Sequence, residues 1–214
     1  MQKSQCKLSA ATGQAPGDWS AVDWGVNSGT GRLCDVLLCP PNFLSMVPCN
    51  AVTRNSIASG LSSSVDLAQK QHEKLAEALI QFGVRSHFVD PVADLADMTF
   101  TRDAVLMSPW GLIELRPAVP HRSDEVARVS AALTALGAPY LGRVDAGTIE
   151  GGDVCLLREG VVLIGCSGER TNDRGARALA SLFEDRGWEV IHTRFDPEHL
   201  HLDTIFTMVS DTCA

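Results

Sequence analysis

Three aspartates recur at a constant spacing, and this spacing constrains the fold more than any other feature of the chain. Asp103, Asp153 and Asp203 lie 50 residues apart (153 − 103 = 50; 203 − 153 = 50), and each precedes a short apolar run. Gly137 and Gly187, which follow helical stretches, have the same spacing. A period of this size indicates a repeat architecture, in which acids at equivalent positions converge on one centre. A ring of carboxylates suggests a cationic ligand.

Composition narrows the class of protein. Hydrophobic residues make up 45% of the 214 residues, which predicts a packed core and argues against disorder. The net charge of −8 argues against a nucleic-acid partner. No apolar run is long enough to cross a bilayer, and Met1 to Asp18 lack the apolar segment of a secretory signal. Seven cysteines without a Cys-x-x-Cys pair suit reduced thiols, so we expect a cytoplasmic protein.

The opening third of the chain is expected to form a leader followed by the start of the folded domain. Residues 1–20 are rich in Ser, Ala, Gln and Gly and predict a loose leader, so the domain is expected over 21–214. Four elements are predicted next: a strand within Leu33–Leu38, a loop to Leu61, a helix over Val65–Phe82 and a strand over Val84–Val89. Periodicity predicts a core face of that helix at Ala68, Leu75, Leu79 and Ile80.

The next two segments repeat the order strand, strand, helix, strand. The first is predicted as strands Ala104–Met107 and Leu112–Leu115, a helix capped by Ser123, and a strand over Pro139–Leu141. The second is predicted as strands Val154–Leu157 and Val161–Ile164, a helix capped by Thr171, and a strand over Trp188–Thr193. After Asp203 only one strand, Thr204–Val209, follows. We therefore expect a chain truncated in mid-unit; alternatively the last strand pairs elsewhere and the domain is complete.

Three short motifs surround the repeated acids: Phe-Thr-Arg-Asp at Phe100–Asp103, Ile-Glu-Gly-Gly-Asp-Val at Ile149–Val154, and His-Leu-Asp-Thr at His201–Thr204. In this order and spacing they resemble the guanidine-modifying superfamily of dimethylarginine dimethylaminohydrolases, arginine deiminases and amidinotransferases, and Trp24–Pro41 is similar to its opening strand. The resemblance implies an α/β propeller (pentein) of about five ββαβ units, incomplete in this chain. The active site would lie at the axis, where the first strands meet.

The resemblance also implies roles for several residues. A guanidinium is a poor electrophile, and the family attacks it with a cysteine thiolate to form a covalent intermediate that water hydrolyses. His201 matches the histidine that protonates the leaving amine and then activates the water, and Glu150 matches the acid that orients the site. Asp103 and Asp203 match guanidinium-binding aspartates, and Asp97 resembles a further acid that contacts the substrate.

Two arginines fit the amino-acid end of such a substrate. Arg122 and Arg170 correspond in position to family arginines that grip the α-carboxylate, a task that suits a planar two-pronged donor. Because both lie near predicted helix starts, surface salt bridges are the alternative. The pair Gly151–Gly152 predicts either a turn or a close approach of the backbone to a ligand.

No metal or organic cofactor is expected. His199 and His201 would lie on one face of an extended segment, but the sequence spaces no third ligand for them. For His201 a hydrogen-bonded structural histidine remains an alternative, as does a turn residue for Asp103.

The nucleophile is the main departure from the family pattern. The family cysteine comes near the C-terminus, well after the histidine motif. Cys213, the only cysteine downstream of His201, is too close to it to take that place. The resemblance therefore places the nucleophile beyond Ala214, and the chain alone is predicted to be inactive and poorly stable, with apolar surface exposed.

These observations predict a hydrolase that cleaves the guanidino C–N bond of arginine or a methylated arginine to give citrulline. Asp203, two residues after the histidine, is typical of deiminases and amidinotransferases, whereas the compact layout and the two arginines favour the dimethylaminohydrolase type. The expected partner is a small-molecule substrate, and neither a nucleic acid nor a membrane is expected as a partner. The sequence does not decide between a monomer and a homodimer. The alternatives are an amidinotransferase acting on an amine acceptor and a non-catalytic fragment that binds a cationic ligand or a partner protein.

Overall fold

The computed structural model describes residues 24–214, so the predicted leader over 1–20 lies outside the described residues. Within that range eight strands form one two-stranded and two three-stranded sheets. No helix in residues 24–214 combines the length and the apolar character that crossing a membrane requires. Five cysteines of this range are free thiols, but Cys34 is disulfide-bonded, so the expectation of reduced thiols throughout is wrong at Cys34.

The leading unit comprises β1 (Asp35–Leu38), α1 (Ala51–Ala58), α2 (Val65–Gln81) and β2 (Arg85–Phe88). β1 and β2 pair in parallel, as expected for strands joined by helices. Helix α1 lies where a loop was predicted. Asn50 caps it by accepting a hydrogen bond from the Thr53 nitrogen at 2.8 Å, but the helix buries no residue and so carries no apolar period in its sequence.

Helix α2 is confirmed, whereas its predicted core face is only partly right. Gly83, at φ 76°, ends the helix as expected. Leu75 and Ile80 are 51% and 61% exposed, and Ala76 is the residue that α2 buries. A two-stranded sheet covers only a narrow stripe of the helix, which leaves apolar side chains of α2 in contact with solvent.

The Asp103 unit comprises α3 (Thr101–Ala104), β3 (Val105–Ser108), β4 (Gly111–Glu114), α4 (Ser123–Ala135) and β5 (Tyr140–Arg143). The Asp153 unit comprises a 3-10 turn (Gly151–Asp153), β6 (Val154–Arg158), β7 (Val161–Cys166), α5 (Asp173–Glu184) and β8 (Glu189–Arg194). In both units the first two strands are antiparallel and the last strand joins the second in parallel. The predicted double occurrence of strand, strand, helix, strand is confirmed.

The helix caps differ from the prediction. Ser123 is the first residue of α4, and Asn172, not Thr171, caps α5. The Asn172 side chain accepts hydrogen bonds from the Arg174 and Gly175 nitrogens at 3.1 and 3.0 Å. Thr171 is instead fully buried and donates to Asp153 Oδ2 at 2.5 Å.

The segment after Asp203 departs from the predicted strand. Leu202–Thr204 form a 3-10 turn, and the expected strand Thr204–Val209 is wrong. A strand forms only against a hydrogen-bonding neighbour. Among residues 24–214, the segment finds no sheet partner beyond an isolated bridge between Ser210 and Cys213.

Each repeated aspartate lies in one helical turn, and the first strand of the unit follows directly after the turns of Asp103 and Asp153. Asp103 Oδ1 accepts a hydrogen bond from the Gly152 nitrogen at 3.1 Å, and Asp153 Oδ1 accepts one from the Leu202 nitrogen at 3.0 Å. Each of these two acids thus ties its own turn to the turn of the following unit.

Two apolar clusters support these turns, one between the leading and Asp103 units and one between the Asp103 and Asp153 units. In the second cluster Trp110 meets Phe183 and Trp188 with ring centroids 5.6 and 5.5 Å apart. Trp110 therefore packs in the core.

Candidate active site

Five of the seven predicted site residues meet in one buried cluster. Asp103 lies at the end of the α3 turn, Glu150 directly before the next turn, and His201 directly before the third. Arg122 and Arg170 precede α4 and α5. All five side chains belong to residues that are at most 8% exposed. The repeat therefore places charged residues from several units at one point, as its spacing predicted.

Glu150 is the centre of the cluster and is fully buried. Its Oε1 accepts a hydrogen bond from the Ala118 nitrogen at 3.0 Å. Its Oε2 lies 3.2 Å from Arg170 Nη1, 3.4 Å from His201 Nε2 and 3.6 Å from Arg122 Nη1. A buried carboxylate is tolerated only when partners compensate its lost hydration, and here two guanidinium groups and an imidazole do so.

His201 is held between carboxylates. Its Nδ1 lies 3.3 Å from Asp153 Oδ1, while Nε2 lies 3.4 Å from Glu150 Oε2 and 3.9 Å from Asp103 Oδ2. Burial lowers the pKa of His201, but the hydrogen bond with Asp153 and the charges of the three acids outweigh it and raise the pKa above 6.5. The raised pKa favours the protonated imidazole, the form in which Nε2 is a hydrogen-bond donor.

The glycine pair makes room for protein atoms rather than for a ligand. A Cβ on Gly152 would lie 2.7 Å from His201 Cγ, and one on Gly151 would lie 2.0 Å from the Arg102 carbonyl oxygen. The predicted close approach of the backbone is thus real, but what approaches is His201 on one side and the α3 turn on the other.

The segment before His201 turns sharply, so the predicted common face of the two histidines is wrong. Leu200 has φ 63°, in the left-handed region that non-glycine residues rarely adopt. His199 is exposed, whereas His201 is buried. The turn at Leu200 directs the two imidazoles to different environments and removes the possibility of a shared metal ion.

Arg122 is fully engaged inside the protein. Its Nε donates to Glu125 Oε2 at 2.8 Å, its Nη1 to Asp103 Oδ2 at 2.9 Å, and its Nη2 to the carbonyl oxygens of Phe100 and Asp97 at 3.1 and 3.4 Å. Every nitrogen of the guanidinium is therefore used. Within residues 24–214 Arg122 is therefore bound to Asp103 and Glu125, and its predicted grip on a substrate carboxylate stays a prediction.

Glu125 is a member of the cluster that the sequence analysis missed. It is fully buried in the first turn of α4, and burial raises its pKa against the opposing effect of Arg122. Its position three residues after Arg122 is the spacing of an ion pair on one helix face, and this spacing was the available signal.

Arg170 differs from Arg122 in keeping donors free. Its Nη1 lies 3.4 and 3.2 Å from the two Glu150 oxygens, and its Nη2 lies 3.7 Å from Cys49 Sγ. Its Nε is buried and makes no hydrogen bond with any atom of residues 24–214. Since Nε and Nη2 share one edge of the planar group, this edge suits a carboxylate.

Asp97 and Asp203 lie at the edge of the cluster. Asp97 Oδ2 is 2.7 Å from His121 Nε2. The Asp203 side chain is 44% exposed, and its Oδ2 is 3.6 Å from Arg102 Nε. Burial, together with the nearby charges of other acids, raises the pKa of Asp203 despite the opposing effect of Arg102.

Asp203 also faces a cavity of about 460 Å³. The cavity wall comes from β1, β3, β6 and the segment after His201, and most of it is apolar. The first strands of the repeated units therefore meet around an open cavity that Asp203 lines.

The charges around the donor set disfavour a metal ion. Asp103, Glu150 and His201 each offer an atom within 4.8 Å of the others, a spacing that a metal ion can bridge. The guanidinium groups of Arg122 and Arg170 already contact Glu150 Oε2. A metal ion there would meet these two positive charges.

Comparison with known proteins agrees with this arrangement. Residues 51–213 match the arginine deiminase family. The N(G),N(G)-dimethylarginine dimethylaminohydrolase of Streptomyces coelicolor is 32% identical over 72% of this chain and 62% of its own length. The chain thus spans about three fifths of the length of this relative.

Solved structures share the fold. The dimethylarginine dimethylaminohydrolase of Pseudomonas aeruginosa, solved as a mutant with citrulline, superposes with a TM-score of 0.63 at 23% identity, over 77% of this chain and 62% of that one. An amidinotransferase from Microseira wollei gives a TM-score of 0.68 at 17% identity, over 84% and 65% of the two chains. These likenesses confirm the expected α/β propeller fold, of which the described residues form part.

Proposed function

Because this chain belongs to the arginine deiminase family of guanidine-modifying proteins, we propose that it carries the substrate-binding and proton-transfer half of a hydrolase acting on arginine or a methylated arginine. The product would be citrulline, with ammonia or an alkylamine as the leaving group. The observation that supports this most directly is the His201 imidazole, which lies between Asp153 and Glu150 with a raised pKa.

Binding of the guanidinium would involve Asp203, the predicted site acid that lines the cavity. Asp103 and Glu150 are already paired with arginines and would supply further negative charge. The Nε and Nη2 edge of Arg170 would take the α-carboxylate of the substrate. The α-amino group would fall to Asp97, which contacts His121 and Arg122. Both ends of an amino acid would then be fixed by opposite charges.

His201 would handle the proton. Its Nε2 gives a proton to the departing nitrogen, and the neutral imidazole then accepts one from the attacking water. Asp153 fixes the ring through Nδ1, so that Nε2 remains the exchanging atom.

The described residues place no cysteine nucleophile beside His201 and Glu150. No cysteine within residues 24–214 is hydrogen-bonded to His201 or Glu150; Cys49 contacts Arg170, and Cys213 is exposed. We propose that the nucleophile lies outside these 214 residues and that the chain alone binds its ligand without turnover.

Citrulline release by the complete gene product tests the proposal. L-Arginine and dimethyl-L-arginine are supplied separately, with and without a primary amine acceptor. Release that needs no amine supports the hydrolase, and the preferred substrate decides between the two types. Amine-dependent transfer would instead establish an amidinotransferase.

The 214-residue chain provides the second arm. Calorimetry should detect L-arginine binding without citrulline release. Normal turnover by this chain would overturn the proposed absence of the nucleophile, and Cys49→Ser would then show whether that thiol is responsible. Binding without turnover in both proteins would establish a non-catalytic receptor for a cationic ligand.

A further inference from the structure

The loop between β1 and α1 brings a thiol to the free edge of Arg170. Cys49 is partly exposed, and its Sγ lies 3.7 Å from Arg170 Nη2. Its other recorded side-chain contact is with Asn50 Nδ2, also at 3.7 Å, while the Asn50 side-chain oxygen caps α1. Both groups near the sulfur are therefore donors.

The guanidinium edge beside this thiol lacks an anion. Arg170 is 6% exposed, so water reaches little of it. Glu150 takes Nη1, whereas Nε finds no hydrogen-bond acceptor among residues 24–214. A buried cationic donor without a partner favours any carboxylate that can reach it, because charge-assisted hydrogen bonds are the strong ones.

We propose that Cys49 is a modification site selective for thiol reagents that carry a carboxylate, with Arg170 as the anchor for that carboxylate. An α-halo acid illustrates the fit, because its carboxylate is bonded directly to the carbon that the sulfur attacks. When the carboxylate binds the Nε and Nη2 edge, that carbon lies next to the sulfur 3.7 Å from Nη2.

The reaction balances without a further reagent. The thiol proton passes to water, the thiolate attacks the halogen-bearing carbon, a C–S bond forms, and the C–halogen bond breaks with its electron pair leaving on the halide. The product is a carboxymethyl thioether whose carboxylate remains on Arg170. If the proposed function is right, this group fills the place of the substrate α-carboxylate and blocks binding.

The reference for Cys49 is a small thiol rather than another cysteine of the chain. Burial raises the pKa of Cys39 to about 11 and also raises the pKa of Cys155 and Cys166, so these thiols should react slowly. Cys213 is exposed, and its thiol contacts an oxygen of Ala214, whose α-carboxylate in the 214-residue chain repels an anionic reagent. The uncharged small thiol N-acetylcysteine amide therefore reports the intrinsic preference between the two reagents.

The test compares iodoacetate with its neutral analogue iodoacetamide. The 214-residue chain is treated with each under non-reducing conditions, and peptide mass spectrometry at low conversion gives the rate at every cysteine. We expect the ratio of iodoacetate to iodoacetamide rates to be about tenfold higher at Cys49 than for N-acetylcysteine amide, the factor that corresponds to about 1.4 kcal/mol of anchoring. Equal ratios for the two thiols would overturn the proposal.

Two variants identify the anchor. Arg170→Gln should reduce the ratio at Cys49 to that of N-acetylcysteine amide, whereas Arg170→Lys, which keeps the charge but loses the fork, should retain part of the preference. If Arg170→Gln does not fold, the two-reagent comparison in the unmodified chain still decides. A preference that survives in folded Arg170→Gln would contradict the assigned anchor.

A protection experiment separates this proposal from the proposed function. L-Arginine should slow carboxymethylation of Cys49, and agmatine, which has the guanidinium but no carboxylate, should not. A preserved reagent preference without protection by L-arginine would support the modification site and contradict the proposed substrate placement. Arginine binding by calorimetry with no reagent preference would contradict the modification site alone.

Discussion

Arg122 and Arg170 occupy equivalent places in successive units and are used differently. Each follows the hairpin of its unit, precedes the unit's helix, and contacts Glu150 Oε2. Every guanidinium nitrogen of Arg122 donates a hydrogen bond to a protein acceptor, whereas Arg170 Nε has no hydrogen-bond partner among the described residues. One repeat position thus provides a structural ion pair in one unit and an open donor edge in the next.

The third residue after each arginine explains the difference. Glu125 follows Arg122 by three positions, points inward, and pairs with its Nε. Asp173 follows Arg170 by three positions but is turned to the surface, where it pairs with Arg194 Nη2 at 2.8 Å. A carboxylate one methylene shorter, with a surface partner, leaves the buried Nε free. The two units thus share the position of the arginine, and the neighbouring carboxylate determines whether its Nε is paired.

The largest loss in the free energy of unfolding should come from replacing Arg122, whose guanidinium nitrogens are all hydrogen-bonded. Arg122→Met leaves Asp103 and Glu125 buried without their cation, and losing one member of a buried ion pair costs about 3–5 kcal/mol. Urea denaturation should show this loss in the free energy of unfolding. A loss below that of Arg170→Gln would reverse the ranking of the two arginines.

Removing the open arginine should affect binding more than stability. Arg170→Gln costs Glu150 one of several partners, so we expect a loss of about 1–3 kcal/mol in the free energy of unfolding. Calorimetry should show L-citrulline binding weakened about 10- to 100-fold, as for a lost pair of charge-assisted hydrogen bonds. Undiminished affinity would place the ligand carboxylate elsewhere.

His201 should give the protein a pH dependence, because its hydrogen bond with Asp153 and the charges of the surrounding acids outweigh burial and raise its pKa. The folded-state pKa of His201 is raised, so its contribution to stability is fully present below pH 6.5 and is lost as pH rises through the folded-state value. His201→Asn should remove this fall in the free energy of unfolding between mildly acidic and alkaline pH. A variant with the same pH profile as the parent would show that the imidazole is not the titrating group.

The smallest effect should come from the surface pair that keeps Asp173 away from Arg170. In Arg194→Ala the melting temperature should not change measurably, because exposed ion pairs contribute little. The preference of Cys49 for iodoacetate should also be unchanged. A reduced preference would show that Asp173, once released from Arg194, turns inward and pairs with the free Nε of Arg170.

Periodic features were readable from the sequence. The spacing of the three aspartates and the apolar runs predicted the order of strands and helices in two units, and the cluster around Glu150 follows from it. The resemblance predicted which charged residues would meet, since turns before first strands converge in a propeller.

Structural features that leave no periodic pattern in the sequence could not be predicted from it. Helix α1 buries nothing, so only its cap at Asn50 signalled it. The exposure of Ile80 depends on how many strands lie beneath α2. The different uses of Arg122 and Arg170 depend on which way Glu125 and Asp173 point, and composition does not determine this.

The links between the turns have a direction. In both observed cases the carboxylate belongs to the earlier unit and the backbone amide to the later one, from Asp103 to Gly152 and from Asp153 to Leu202. A unit that has left the ribosome can therefore offer a finished acceptor to a turn not yet synthesised. Order can spread from the N-terminal units forward, because each unit serves as the template on which the following one sets its register.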